Sequence, residues 1–344
     1  MRINRSRVSQ IFYDGFGDPI EVYPRFCIDE ELMRVGKSPV MTDGISVLDQ
    51  LGQCPQSVIC FLRTFALGDI LLLSPVFNWV IENYPETRIL FATVDGFVNV
   101  YRYWDQVRTV NKRSLYPRHY DIGYHLDGIV EKDHRGGPES YKHRVDLYCE
   151  FLGIPRIKDP VFSLPFSEQE KEWAHGIVGP LRAKNKPVIV MQALGSTHVK
   201  QFSLDKSLSI ARELSKTSIV ILVHNFKEKT NGTEVVNLMG QTNVHQLVAL
   251  INEADAVVTM DSGVLWVAHC TNTPVIALLG PTREQERLCY HRNYHVVNLA
   301  RIVNCEPCFE RLTGCQGKVR CMTEAAEGEI IEGIRNGINR LVYS

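Results

Sequence analysis

The chain lacks any run approaching 18 apolar residues, so it offers no transmembrane helix. Its opening, "MRINRSRVSQIFYDG", is basic but has no apolar stretch after it, which argues against a secretory signal and for a cytoplasmic location. Net charge is nearly absent too: the 344 residues carry a formal -1. Such a balance argues against a dedicated nucleic-acid binder and against a polybasic membrane protein. We find no internal repeat and no low-complexity tract. The early Gly-x-Gly of "YDGFGDPIEVYPRF" runs into Asp-Pro instead of a helix, so it is no dinucleotide fingerprint. "NRS" at Asn4 and "NGT" at Asn231 match a glycosylation pattern that a cytosolic chain never uses.

What is present is apolar and rhythmic. With 44% hydrophobic residues, a chain of this length can build two domains, each with its own core. Residues 1–55 read as an N-terminal extension of unknown role, holding a turn, a short strand and the turn-rich "VGKSPVMTDG". From Ser57 strands and helices alternate. "SVICFLRT" reads as a buried strand, "DILLLSPVFNWVIENYP" as one helix stopped by Pro85, and "TRILFATV" as the next strand. "PFSEQEKEWAHGIVGPLRAKNKP" reads as a linking helix and loop. A second series follows: strands at "PVIVMQAL", "TSIVILVH", "DAVVTM" and "TPVIALLG", and helices at "SLDKSLSIARELSK" (capped by Ser203), "NVHQLVALINEA" and "SGVLWVAHCT". This βαβ grammar implies parallel sheets covered by helices. We expect domains at 56–170 and 171–344, with ligands at the carboxyl ends of the strands.

Four strand-end loops could carry chemistry. At Asp261-Ser262-Gly263 a buried strand gives way to a helix whose free N–H groups and positive dipole end suit a diphosphate; the alternative is that Asp261 and Ser262 merely cap. Gly280-Pro281-Thr282 follows the next strand. "ALGSTHVKQF" offers Gly195, Ser196 and Thr197 to cradle phosphate oxygens and Lys200 to neutralise them. The fourth loop, Gly68-Asp69 in "FALGDILLLSP", puts a lone carboxylate at a strand-to-helix junction among hydrophobes, either as an N-cap or as a general base.

Ten cysteines are unevenly placed, and Cys305, Cys308, Cys315 and Cys321 crowd into 305–321. In a reducing compartment such crowding suggests a closed, structural metal knuckle, zinc or iron, ahead of disulfides; four reduced thiols in a loop is the other reading. Residues 101–144 hold nine Lys/Arg against six Asp/Glu, plus four His, which fits an anionic partner as well as a solvated loop.

Three motifs in order resemble the heptosyltransferase family, the ADP-heptose:lipopolysaccharide glycosyltransferases of family nine. They are "RTFALGDILLLSPVFNWVIENYP", "NLMGQTNVHQLVALINEADAVVTMDSGVLWVAHCTNTPVIALLGPT" and the cysteine-bearing "CEPCFERLTGCQGKVRCMTEAAEGEIIEGI". The resemblance covers roughly residues 57–340 and departs at Trp266, where the family usually has His. It implies an α/β GT-B fold, two Rossmann-like domains facing a cleft, acceptor on the N-terminal side and donor on the C-terminal side. It implies that Asp69 is the catalytic base, that Asp261, Ser262 and Gly263 bind the donor diphosphate, and that Lys200 contacts phosphate.

The expected reaction is direct, inverting transfer of a heptose or related sugar from a nucleoside-diphosphate sugar, ADP-sugar favoured, to an acceptor hydroxyl. Asp69 takes the proton. The Ser262/Gly263 helix terminus, the Gly280 to Thr282 loop and Lys200 stabilise the leaving diphosphate. The acceptor expected first is anionic lipopolysaccharide core. Alternatives are a protein or modified nucleic-acid acceptor, and a non-enzymatic metal-knuckle binding module, which predicts salt-sensitive nucleic-acid binding without transfer.

Overall fold

The structure is a computed structural model that describes residues 10–13, 19–22, 47–116, 119–132, 142–192, 194–195, 197–230, 234–308 and 318–343. The chain divides into two compact units, Met1–Val161 and Phe162–Ser344. The division falls before the linking helix because the strand-like approach to it already packs with the second unit. Phe162 lies edge-on to His269 at 5.3 Å, and the Pro165 carbonyl meets His245 Nδ1 at 2.8 Å.

The first unit contains β1 (Gln10–Tyr13), β2 (Pro19–Val22), α1 (Val47–Gln53), β3 (Val58–Leu62), α2 (Leu67–Leu71), α3 (Ser74–Asn83), β4 (Arg88–Thr93), β5 (Val107–Asn111), β6 (Ile122–His125), α4 (Ile129–Lys132) and α5 (Arg144–Leu152). Among the described residues β1 and β2 pair antiparallel, as a small hairpin-like sheet inside the N-terminal extension. The other four strands form a parallel sheet in the order β5-β4-β3-β6. Valine, isoleucine, leucine and phenylalanine dominate β3 and β4, which are buried nearly throughout, as parallel strands covered on both faces must be. The single helix expected after Gly68 is two helices. Pro75 has no N–H to continue the ladder of α2, but it is well placed in the first turn of α3, so the chain restarts there.

The second unit contains α6 (Glu168–Arg182), β7 (Val188–Gln192), α7 (Leu204–Ser215), β8 (Ile219–Leu222), β9 (Val236–Asn237), α8 (Val244–Glu253), β10 (Ala256–Met260), α9 (Gly263–Ala268), β11 (Val275–Leu279), α10 (Glu284–Leu288), β12 (Tyr294–Asn298), α11 (Leu299–Ile302), α12 (Arg320–Thr323) and α13 (Glu327–Val342). Its described strands form one parallel sheet in the order β12-β11-β10-β7-β8-β9. Side-chain caps fix the helix starts. Ser203 accepts from Lys206 N at 3.2 Å, as the sequence predicts, and Ser167 and Asn243 both form capping boxes.

In both sheets the chain starts centrally, runs outward to one side, then returns to the other side of its first strand. The reversal points are β3/β6 and β7/β10. Loops leaving adjacent strands at such a point diverge to opposite faces and open a crevice at the carboxyl ends, where α/β sheets bind ligands. The Gly68-Asp69 loop follows β3. The 193–200 and 261–263 loops follow β7 and β10.

Among the described residues no helix is long and apolar enough to cross a membrane.

Candidate active site

At the first reversal point Asp69 is buried, 4% exposed, and held from two sides. Arg63, one residue past β3, donates from Nη2 to Asp69 Oδ2 at 2.7 Å and from Nη1 to the Leu126 carbonyl at 3.0 Å. Arg144, the first residue of α5, donates from Nη1 to Asp69 Oδ1. Tyr148 Oη, one turn on, donates to the Asp69 carbonyl at 3.3 Å. The loop that delivers Asp69 is strained: Ala66 sits at φ 66°, ψ 108°, a conformation that suits glycine. Gly68 follows within the buried turn of α2.

A second carboxylate lies beside this cluster. Asp127, just past β6, accepts from Thr64 N at 2.8 Å and Thr64 Oγ1 at 2.6 Å, meets His125 Nε2 at 3.1 Å and stands 3.7 Å from Arg63 Nε. Burial by itself would raise the Asp127 carboxyl. The hydrogen bond and charge of His125, the charge of Arg63 and the Thr64 hydroxyl outweigh it and bring the pKa down to about 2. Asp127 is therefore a fixed anion that ties the loop after β6 to the loop after β3.

At the second reversal point Asp261 is the centre. Its Oδ1 accepts from Arg287 Nε at 3.0 Å, and Lys200 Nζ stands 3.1 Å from its Oδ2. Arg287 is 1% exposed, a guanidinium buried outright and matched by Asp261 and, at 3.5 Å, by Glu286. Gly195 fits against the Lys200 backbone: any Cβ there would collide with the Lys200 carbonyl. So the loop after β7 and the loop after β10 are joined through Lys200 and Asp261. Ser262 is a cap, accepting from Val264 N at 3.2 Å while its hydroxyl donates inward to Gln192 Oε1 at 2.8 Å. What remains for a ligand at that helix start is backbone N–H, beginning with the half-buried Gly263. Thr197 is exposed, whereas Pro281 and Thr282 are buried. The Thr282 hydroxyl has no hydrogen-bond partner among the described residues. Gly280 leaves room for Cys321 and Met322, the start of α12, so that helix backs the Gly280–Thr282 loop. Ser196 lies outside the described residues.

Trp266 is buried with its ring tilted against His269 at 4.9 Å, and His291 lies 4.6 Å from the same His269 ring. Burial lowers both imidazoles, His269 to about 4 and His291 to about 3, the latter helped by the charge of His269.

Among the described residues no group of three or more His, Cys, Asp or Glu side chains could hold a metal ion. Cys321 is turned into the core against Gly280, while Cys305 and Cys308 are only partly buried; Cys315 lies outside the described residues. The scattered Cys60, Cys149 and Cys270 are thiols whose pKa burial pushes up, Cys149 to about 11, which keeps them unreactive.

Arg63, Arg144, Asp127, Arg287 and Gln192 went unpredicted. Arg63 carried a faint signal, a lone cation ending a buried strand. The others meet their partners only through the fold.

A family model described as glycosyltransferase family 9 (heptosyltransferase) matches residues 134–318. Lipooligosaccharide heptosyltransferase 2 of Haemophilus influenzae is 52% identical over 50 residues, which span 14% of this chain and only 14% of that protein. The lipopolysaccharide core heptosyltransferase OpsX of the same organism is 23% identical over 283 residues, 66% of this chain and 79% of that protein. The solved Escherichia coli ADP-heptose LPS heptosyltransferase II superposes with a TM-score of 0.57 at 17% identity, covering 82% of this chain and 98% of that one. At that identity the likeness shows the fold, GT-B, with its two Rossmann-like units.

Proposed function

Since this chain belongs to glycosyltransferase family 9, the heptosyltransferase family, we propose that it transfers a heptose from ADP-heptose to a hydroxyl of lipopolysaccharide core with inversion. Membership makes the chain a glycosyltransferase, and the reading as a non-enzymatic metal-knuckle module falls with it. Support for the donor and acceptor comes from the names of the relatives, one an ADP-heptose LPS heptosyltransferase and one a lipopolysaccharide core heptosyltransferase. Neither name points to a protein or a nucleic-acid acceptor, so those acceptors lack support.

In this reading the acceptor oxygen gives its proton to Asp69 as it attacks the anomeric carbon. The bond from that carbon to the diphosphate oxygen breaks, and the electron pair leaves with the nucleotide. Lys200, the N–H groups from Gly263 and the Gly280–Thr282 loop receive the leaving charge, with Gly195 and Thr197 shaping the loop that carries Lys200. Asp261 holds Lys200 and is itself held by Arg287, so the lysine is kept in place at the loop after β10. The observation that carries the reading is the Lys200–Asp261–Arg287 row at one reversal point and the Arg63–Asp69–Arg144 row at the other.

The test is calorimetry with a panel of nucleoside diphosphates on wild type and Asp261→Ala. ADP is expected to bind, and the variant to lose at least tenfold in affinity. No binding of any nucleotide to wild type would overturn the donor assignment. A structural zinc or iron on Cys305, Cys308, Cys315 and Cys321 is the remaining part of the proposal. Elemental analysis of the purified protein and of Cys308→Ser tests it, and metal-free wild type removes it.

A further inference from the structure

The Asp69 carboxylate has a difficulty as a base. Two guanidiniums face it, and each one favours the anion and so weakens it as a proton acceptor. The two are not equivalent. The Arg63 side chain is 2% exposed and is also anchored to the Leu126 carbonyl and beside Asp127, so it cannot leave. The Arg144 side chain is 14% exposed and comes from another element, the first turn of α5. Removing Arg144 would leave Asp69 still matched by Arg63, so the buried carboxylate would not be stranded. An anion that meets Arg144 also meets the positive end of a nine-residue helix. Among the described residues, Asp127 with its partner His125, and Tyr148, whose hydroxyl holds the Asp69 backbone, also stand near this cluster.

We propose that Arg144 is an anion-operated latch on Asp69. The acceptor carries a phosphate or a carboxylate near the hydroxyl to be glycosylated, and that group draws the Arg144 guanidinium away from Oδ1. Relieved of one cation, Asp69 regains basicity beside the hydroxyl whose proton it must take. Arg144 is thus a positioning residue, and it makes turnover conditional on an anionic acceptor. The inference rests on the reading of Asp69 as the base.

The experiment uses the full chain with ADP-heptose and lipopolysaccharide core oligosaccharide in three forms: intact, phosphatase-treated and carboxyl-methylated. Wild type is expected to lose at least tenfold in kcat on the form that lacks the operating anion, which identifies the source as phosphate or carboxylate. In Arg144→Ala that ratio should collapse toward one, and on the acceptor form that lacks the operating anion, where Arg144 stays on Asp69 in wild type, the acid limb of kcat against pH should move up by about one unit. Arg144→Gln, which keeps most of the side-chain bulk, should do the same. A contact that only binds would put the loss in KM with kcat unchanged. A wild-type ratio retained in both variants, or an unmoved acid limb, overturns the latch. Asp69→Asn, run alongside, separates the failures. If it turns over, the base reading and the latch fall together; if it is dead while Arg144→Ala keeps the wild-type ratio, only the latch falls. A readout free of acceptor is the Asp69 carboxyl 13C titration with and without inorganic phosphate. Phosphate should raise the midpoint in wild type and leave it unmoved in Arg144→Ala; an equal response in both overturns the proposal.

Discussion

At the scale of residues, Asp69 and Ala66 are paired features. The lone acid owes its place to a backbone turn that an L-residue adopts at a cost. A left-handed φ costs a side chain roughly 1–2 kcal/mol, and more for a β-branched one. Ala66→Val is therefore expected to be at least about 1 kcal/mol less stable than Ala66→Gly, read by urea unfolding. Equal stability would mean that the loop relaxes freely. Asp69→Asn keeps the shape and the contact to Arg63 but cannot take a proton. It should lower kcat by roughly 10²–10⁴ with donor affinity within twofold, checked by single-turnover kinetics and calorimetry. Gly195→Ala meets backbone, not a side chain that could swing away, because the added methyl would collide with the Lys200 carbonyl. Donor affinity should fall in that variant through displacement of Lys200, while the fold, set by strands elsewhere, persists in the circular dichroism spectrum.

At the scale of elements, the signals that were legible were local ones. Val58–Leu62, Val188–Gln192, Ala256–Met260 and Val275–Leu279 are largely apolar runs too short for helices, flanked by breakers such as Ser57, Pro187, Asp255, Asp261, Pro274 and Gly280, so they read directly as buried strands. Ser203 and Asn243 mark helix starts because their side chains compete for the first free N–H groups. Asn243 accepts from both His245 N and Gln246 N at 2.9 Å, so Asn243→Ala should cost about 1 kcal/mol in chemical denaturation. A loss near zero would show that the α8 start is held by packing alone. Pro75 is a local signal of another kind. Inside an apolar helical pattern it marked a restart, since a helix tolerates proline in its first turn and not in its middle. The two arginines on Asp69 were hidden for a different reason. Arg144 is 75 positions away from Asp69 in the chain, and no local period links them.

At the scale of the whole molecule, each unit hides charge-sensitive groups whose protonation the fold opposes. In the second unit His269 and His291 titrate at about 4 and about 3 in the folded chain, against 6.5 for an ordinary imidazole. The folded state holds them neutral, so the unfolded chain takes up protons first as pH falls. Their contribution is complete above pH 6.5 and is lost progressively below it, down through the folded values. Urea midpoints should therefore drop between pH 7.5 and pH 5, and His291→Phe should flatten that dependence. A flat wild-type profile would contradict the burial of the pair. In the first unit Asp127 acts at lower pH. Its contribution is present above about 3.8 and is lost as pH falls through about 2.

By itself the sequence determined the grammar of this protein: alternating strands and helices, two successive series of them, and polar or glycine-bearing loops at strand ends. Those properties follow from periods of two and 3.6 residues and from caps within four residues, all of which act locally. Only the tertiary structure decided which loops became neighbours. Strand order set β6 beside β3 and β10 beside β7, and so brought Asp127 to Thr64, Arg144 to Asp69, and Lys200 and Arg287 to Asp261. A buried charge needs its partner in space, and that partner is chosen by pairing between distant strands, where the chain entropy of closing long loops is repaid by the sheet and core and not by any pattern along the chain.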